Sequence, residues 1–595
     1  QQQQQQAAER RRRHSDTTAA ISSLQLPPGP MGLPFLGYLP FLGSEIHLTL
    51  TELSHKFGPI YQIFLGGIRV VVLNDAALVR QAFKQTVFSG RPNTQLTRIL
   101  QGYGIVNSEG ALWKEQRAFL HSALRKLGAK SLMSGSNGLE AKIQNQVKEF
   151  VNDLSVHAKE GKPCQVRPIV ARAVSSVVGS IVMNLTYRKY EEKEKFDRLI
   201  ELMQEGFRLF SIAMPLDFIP IFKYLPGVSY AYQKMKKNRA ETSAFFQTVA
   251  DEHRKYLSDT FNLGVPNSTS SLHPATAGYV AAAAVPPPAS VIEPNVIQMK
   301  HNHQKQQQQT APSDRTNSDA TTTTTNSDGT STDSSSSKKK TVELESIVAR
   351  DLVDAYIVQQ KKHETDGKEN YFSDQQLVQI MSDIFSAGLE TVTSTIEWSI
   401  LFLILNVECQ AKIQEEIERV IGRDRAPQLE DLAQMPYTEA TIYEVLRRSN
   451  VVTLGNAHAT LADASIGGYL IPKGTQVLPN LYGMNMNPKL WANPEQFNPS
   501  RFITNDRAQK PDYFIPFSVG RRMCLGDVLA KMEVFLFLVG LLQRYDLSVH
   551  HEDLKSPPQV KGTIGVSNAP ASFRVALHLR PDGLGRRSPE ATNDE

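Results

Sequence analysis

Apolar residues recur along this chain in two patterns, a strand-like alternation and a helix-like spacing. The run "IYQIFLGGIRVVVLND" sets β-branched and aromatic residues on either side of a Gly-Gly step, which predicts a β-hairpin. From about Asp75 to Leu257 the apolar positions fall at helical spacing. The stretch "AMPLDFIPIFKYLPG" (213–227) interrupts them with an apolar, proline-broken loop between two helices. Such a loop is costly in water, so it touches lipid, lines a ligand entrance, or is a buried connector. Helical spacing resumes at "VARDLVDAYIVQQ". Ser373 and Gln376 form a capping-box pair. It opens a helix that runs to about Asn406, roughly 50 Å long at the rise of an α-helix. Further helices are predicted over 409–422, over about 437–448 and from about Leu525, and "GTIGVSNAPASFRVALHLR" alternates like strands. The expected fold is mainly α with smaller β-sheets.

Two segments and a short tail lack either pattern. Residues 1–26 begin with six glutamines, contain Arg10 to Arg13, and can build no core. Residues 259–344 hold Ala281 to Ala284, Gln306 to Gln309, Thr321 to Thr325 and Ser334 to Ser337, a low-complexity composition that predicts disorder. They read as an insertion, which loops tolerate at small entropic cost. Residues 583–595 read as a flexible tail. Between these lies one large folded region, 27–582, which starts with the proline-stiffened strap "LPPGPMGLPFLGYLPFLG". No stretch meets the roughly 18 to 20 apolar residues of a bilayer span. The best candidate, Trp398 to Val407, is short and sits in an amphipathic pattern. A membrane anchor is therefore expected to be absent or upstream of Gln1.

Composition narrows the classes. With 41% hydrophobic and 21% charged residues, most of the 595-residue chain has the makings of a packed core. A formal charge of +5 is too weak to argue for nucleic acid. It fits a basic face that meets an acidic protein or an anionic membrane. Cys164, Cys409 and Cys524 are three widely spaced cysteines without a CxxC, which excludes a cysteine zinc site and disfavours a disulfide framework.

The chemistry concentrates around "FIPFSVGRRMCLGDVLA". Cys524 precedes a predicted helix, whose N-terminal N–H groups favour a thiolate. Gly520 permits a tight turn, Gly526 admits a large flat ligand, and Arg522 can neutralise a carboxylate on it. A buried free cysteine would explain the sulfur but not its neighbours. Phe517, Gly520, Arg522, Cys524 and Gly526 fit FxxGxRxCxG, and with them the chain resembles the cytochrome P-450 family. The resemblance covers about 27–258 and 345–582, and further motifs occur in order. Trp113 and Arg117 share a helix face, as do the family's haem-propionate ligands. Ala387, Gly388, Leu389, Glu390 and Thr391 resemble its [AG]Gx[DE]T, with Val392 where a second hydroxyl is usual. Glu444 and Arg447 fit ExxR and, with Arg501 of "NPSRF", resemble its buried Glu-Arg-Arg core. His458 matches a position that often meets a propionate, although Ala457 replaces the usual proline.

The resemblance implies a cytochrome P-450 fold in a single domain and b-type haem with Cys524 as axial thiolate. It also implies proton handling by Glu390 and Thr391, and haem contacts from Trp113, Arg117, Ala387, Gly388, His458, Phe517, Gly520, Arg522 and Gly526. The implied activity is monooxygenation of a lipophilic substrate, with electrons from NADPH–cytochrome P-450 reductase, at the cytosolic face of the endoplasmic reticulum membrane. The Arg-rich N-terminus leaves a mitochondrial, ferredoxin-fed alternative open. Lys114, Arg125, Lys126, Lys130 and Arg521 are the expected basic face for the electron donor. Several segments, among them "FSGRP" and "LRRSNVVTLGNAH", resemble insect microsomal enzymes of steroid-hormone synthesis. The alternatives are a haem-thiolate isomerase or dehydratase without external electrons, and a non-enzymatic haem sensor.

Overall fold

The structure, a computed structural model, describes residues 23–129, 138–187, 193–261, 347–367 and 369–580. The C-terminal tail, most of the N-terminal segment and nearly all of the expected insertion lie outside the described residues. The longer helices are α1 (Ile46–Phe57), α2 (Ala76–Lys84), α3 (Gly110–Leu124), α4 (Leu139–Glu160), α5 (Val166–Val182) and α6 (Lys193–Ala213). They continue with α7 (Pro226–Phe261), α8 (Leu352–Asp366), α9 (Asp374–Leu405), α10 (Val407–Val420), α11 (Pro436–Ser449) and α12 (Asp527–Arg544). One sheet has the order β1-β2-β4-β3, with β1 (Ile60–Leu65), β2 (Ile68–Leu73), β3 (His458–Ala459) and β4 (Gln476–Pro479). The predicted hairpin is β1–β2, antiparallel, with Leu65 opposite Ile68 around Gly66 and Gly67. β2 runs parallel to β4, which joins the two ends of the chain in one sheet. Two small antiparallel pairs follow, β5 (Tyr545–Val549) with β8 (Val575–Leu579), and β6 (Gly562–Ile564) with β7 (Asn568–Pro570).

α9 is the spine. It packs against α5, α7, α12 and β7. Its most apolar 18-residue stretch is 83% buried. Among the described residues it is the one helix long and apolar enough to cross a membrane, in contrast to the expectation that no stretch reaches that length, and it is a core helix here. Phe402 stacks on Phe497 at 4.5 Å and on Trp398 at 5.4 Å. Burying each such ring contributes roughly 1.5–3 kcal/mol. The expected N-cap is made: Ser373 Oγ accepts from the Gln376 N–H at 3.2 Å. The reciprocal half of the capping box is not. The Gln376 amide is fully buried and turns instead to Gly104, accepting from its N–H and donating to its carbonyl, each at 2.9 Å.

That diversion belongs to a pattern. Gln376, Asp383, Glu390 and Glu397 follow one another at seven-residue steps along α9, and all are buried. Positions seven apart lie within about 20° of one another around a helix. Each must find a partner, because an unpaired buried polar group costs about 1–3 kcal/mol. Asp383 accepts from the N–H groups of Ile105 and Val106 at 2.7 and 3.0 Å. Glu390 and Glu397 meet Arg167 of α5. Gly388 lies between these groups, and a Cβ there would come within 2.8 Å of Val178 Cγ2. Gly388 thus lets α9 and α5 approach closely, which gives a packing reason for a glycine in mid-helix.

The chain on both sides of the insertion joins in one fold. Asp351 caps α8 by accepting from the Asp354 N–H at 2.9 Å, and its other oxygen lies 2.9 Å from His253 Nε2 on α7. α7 runs to Phe261, two residues past the expected start of the insertion.

The Glu-Arg-Arg cluster forms as expected. Arg447 and Glu444 are fully buried and bidentate, at 2.7 and 2.8 Å. Arg501 Nε donates to Glu444 Oε1 at 3.1 Å, and Arg447 also donates to the carbonyls of Asn485 and Pro494, each at 2.8 Å. The triad ties α11 to the segments that lead to the Cys524 loop. Removing one partner strands a buried charge, so Glu444→Ala should cost about 3–5 kcal/mol. A denaturant midpoint equal to that of the parent protein would contradict this account.

Candidate functional site

The loop that carries Cys524 is shaped by its contact with α2. Gly520 has φ +82°, and a Cβ there would lie 2.1 Å from the Phe83 carbonyl oxygen. Only glycine fits both conditions. The same carbonyl accepts from the Arg521 N–H at 3.2 Å, and the Cys524 N–H donates to the Phe517 carbonyl at 3.1 Å. α12 starts at Asp527 with Gly526 as its N-cap, two residues later than expected. A Cβ on Gly526 would meet nothing within 4 Å.

Cys524 has an accessible surface, yet burial pushes its thiol up. A side chain that is both accessible and deep faces an internal cleft. The Gly526 N–H and the charges of Arg117 and Lys531 pull the other way, and Asp527 adds to the rise. The expected effect of the helix N-terminus is present but smaller than that of burial. Cys164 and Cys409 are simply buried. Ala387 is exposed in the middle of α9, between buried Phe385 and Leu389, so it too opens onto an internal space. Thr391 is partly open, and its hydroxyl donates to the Ala387 carbonyl at 2.7 Å.

Cations gather beside this cleft. The Arg522 guanidinium lies 4.0 Å from the centre of the Trp113 ring, and that of Arg117 lies 5.9 Å away. Arg522 donates to the carbonyls of Ser89 and Ser108, at 3.0 and 2.6 Å. Arg117 donates to the Met523 carbonyl at 2.5 Å. Arg91, the arginine of "FSGRP", which is not among the expected haem contacts, completes the group and donates to the carbonyls of Val106 and Ala457 at 2.9 and 2.7 Å. Burial, then their mutual repulsion, pushes Arg91 down to about 10 and Arg522 down to about 9. Glu109 is the carboxylate that opposes them. His458 stacks on Phe83 at 3.6 Å and bonds the Phe88 carbonyl through Nδ1 at 2.7 Å. Burial, Arg91 and Arg522 hold it down at about 3.

Three guanidinium groups, Arg522 buried and Arg91 and Arg117 half-buried, face one carboxylate and are poorly compensated. The Trp113 Nε1 beside them is buried and has no partner within the protein. A ligand with two carboxylates answers both conditions, and a nearby accessible cysteine adds a metal-binding sulfur. The residues therefore fit haem. Arg522 alone has five N–H donors, so capacity remains beyond its carbonyl contacts.

Glu390 sits differently from Thr391. Its carboxylate is bidentate with Arg167 at 2.7 and 2.9 Å and accepts from Ser567 Oγ at 3.0 Å. Glu397, absent from the expected site, holds the other arm of Arg167. Lys114, Arg125, Lys126 and Arg521 are exposed, as a docking face requires, and Lys130 lies outside the described residues.

A family profile described as cytochrome P450 matches residues 27–576. The chain is 35% identical to cytochrome P450 18a1 of Drosophila melanogaster, across 94% of this chain and 88% of that protein. It is 31% identical to cytochrome P450 2U1 of Rattus norvegicus, across 93% and 91%. Against cytochrome P450 2C1 of Oryctolagus cuniculus the identity is 30%, across 90% and 91%.

Burial moves Glu397 from the ordinary 4.5 to about 7, with Glu390 adding to the rise and Arg167 opposing it. The folded state thus holds a proton that the unfolded chain releases above its lower value. This contribution to stability is complete below the unfolded value and is lost as pH rises through the folded one. Urea stability should fall across that window, and Glu397→Gln should flatten the fall. An unchanged pH–stability curve in the variant would contradict the assignment.

Proposed function

The chain belongs to the cytochrome P450 family, and on that premise we propose that it hydroxylates a sterol-like substrate at the cytosolic face of the endoplasmic reticulum membrane. The protein is a haem-dependent monooxygenase. The observation that carries the reading of its site is the cluster of Arg91, Arg117 and Arg522 around the unpartnered Trp113 Nε1, beside the accessible Cys524.

In this reading Cys524 would hold the haem iron through its thiolate. Arg91, Arg117, Arg522, Trp113 and His458 hold the propionates. Gly526 leaves clearance for the ring, Gly520 shapes the loop, and Phe517 shields the sulfur. When bound, the haem supplies dioxygen activation and insertion of oxygen into a C–H bond. The protein positions, keeps water out and manages protons. Ala387 and Thr391 border the reacting space, and Glu390 holds a carboxylate one residue from Thr391. An isomerase or dehydratase would have no use for that pair.

For the substrate, the finer reading is ecdysteroid 25-hydroxylation. Its support is the resemblance of the strap, "LNDAALVRQAF", "FSGRP" and "LRRSNVVTLGNAH" to insect steroid-hormone enzymes. The expected pocket walls, 93–106, 203–214, 384–391, 451–456 and 565–568, are mostly apolar with scattered Thr, Asn and Gln. They suit a large lipid with few hydroxyls. Electrons come from NADPH–cytochrome P450 reductase docking on Lys114, Arg125, Lys126 and Arg521. The strap and the 213–227 loop meet lipid: Met31 and Phe35 are 94% and 95% exposed, and Ile221 and Tyr224 are 68% and 73% exposed. The 215–218 turn packs on the β1–β2 hairpin tip at Gly66, so strap, hairpin and loop present one apolar side.

Ecdysteroid precursors should convert the haem to high spin and yield a product heavier by one oxygen, only with NADPH and the reductase. Turnover without them would overturn the monooxygenase reading, and a spin shift only with unrelated lipids would overturn the substrate. Cys524→Ala should abolish the carbon monoxide spectrum of thiolate-bound haem. Retention of that spectrum would refute the ligand assignment.

A further inference from the structure

The family's chemistry consumes protons in the interior, and the reading above gives Glu390 and Thr391 the task of supplying them. That pair does not stand alone. Arg167 projects from the first turn of α5 and meets two carboxylates of α9, Glu390 and Glu397, one on each arm of its guanidinium. The carboxylates are seven residues apart, close to two helical turns, and therefore share a face. Ser567, from the turn between β6 and β7, donates to Glu390 at 3.0 Å. Glu390 and Glu397 are both buried, whereas the Arg167 side chain keeps 31% of its surface in contact with solvent.

Two buried carboxylates and one guanidinium carry a net negative charge if both acids ionise. A net buried charge is costly, so such a cluster retains one proton. Burial raises Glu397 to about 7, so it is the member of the cluster that takes up this proton as pH falls toward neutral. The charged groups that act on it are Arg167 from α5 and Glu390 from its own helix. The Ser567 side chain across from them is neutral.

Resting on the reading of Glu390 and Thr391, we propose that Glu397 is a proton-storing positioning residue that recharges Glu390 through water beside their shared Arg167. The step is a simple exchange. The O–H bond of the Glu397 acid breaks and its proton passes to water at the solvent-touching edge of Arg167, which stays a cation throughout; that water in turn gives up a proton, and a new O–H bond forms on a Glu390 carboxylate oxygen. Glu397 is now the anion, so Arg167 pairs with it in preference. Neutral Glu390 is released from the clamp and can turn toward Thr391. After Glu390 has given up its proton, Glu397 regains one from water at the solvent-touching edge of Arg167. Protons alone move, and bulk water is their source.

The test uses the haem-loaded enzyme with its reductase and an infrared titration. Glu397→Gln keeps a hydrogen-bonding partner for Arg167 but cannot store a proton. It should lower product formed per NADPH consumed by roughly tenfold, a modest loss for an acid–base group. It should leave haem content and the substrate-induced spin shift unchanged, and Glu397→Asp should restore part of the coupling. In the infrared, the unsubstituted protein should show a carboxylic-acid carbonyl band that titrates near neutral pH, present in Thr391→Ala and lost in Glu397→Gln. Absence of that band overturns the proposal even if no Glu397 variant folds. Full coupling in Glu397→Gln overturns it too. If Glu390→Gln and Thr391→Ala lose coupling while Glu397→Gln keeps it, the storage role alone fails. If all three keep it, the reading of Glu390 and Thr391 fails with it.

Discussion

The rest of the fold is organised by one requirement: α9 is buried around most of its circumference but carries a polar residue at every seventh position from Gln376 to Glu397. An apolar helix can be covered by almost any apolar surface. A helix with such a stripe can be covered only by elements that bring donors to set heights. The loop at Gly104 to Val106 answers Gln376 and Asp383 with backbone groups. Arg167 and Ser567 answer Glu390 and Glu397. The stripe thereby fixes the height of the loop, of α5 and of the β6–β7 turn along one rod. The small contact at Gly388 and Val178 then sets how closely α5 lies against it.

The second constraint is electrostatic. Arg91, Arg117 and Arg522 come from three distant parts of the chain and are held together by carbonyl groups of Ser89, Val106, Ser108, Ala457 and Met523. Those carbonyls are neutral, so they orient the guanidinium groups without cancelling their charge. A cavity so prepared favours a dianion over a neutral ligand of the same shape. The site has the character of a preorganised counter-ion, with the sulfur of Cys524 as its second attachment point.

A good part of this is legible in the amino-acid sequence. The signature around Cys524, the glycine at 520, the Glu444–Arg447–Arg501 set and the long helix from Ser373 all follow from spacing together with the family resemblance. What stays hidden there has physical reasons. Arg91 sits in an irregular loop, where no periodicity marks a residue as facing inward. Arg167 and Glu397 come from helices far apart in sequence, and only packing brings them together. Gln376 matches a local capping pattern, but a buried amide takes whichever partner the tertiary structure supplies. A glycine in mid-helix needs some reason, and the letters alone cannot show that the close contact with Val178 supplies one at Gly388. The seven-residue stripe is visible in the letters, but it becomes informative only once α9 is known to be buried.

The turn between β6 and β7 touches two regions at once. Gly565 packs near Ser211 and Phe207 of α6, and two residues later Ser567 holds Glu390. A displacement of α6 that carried this turn with it would alter the hydrogen bonding of Glu390, and so the free energy of the protonation states of its cluster. Thermodynamic reciprocity then requires the converse: the proton held by the cluster must bias how firmly α6 closes. A ligand that shifted α6 together with this turn would therefore also shift the protonation of the cluster, by an equal amount of free energy in either direction.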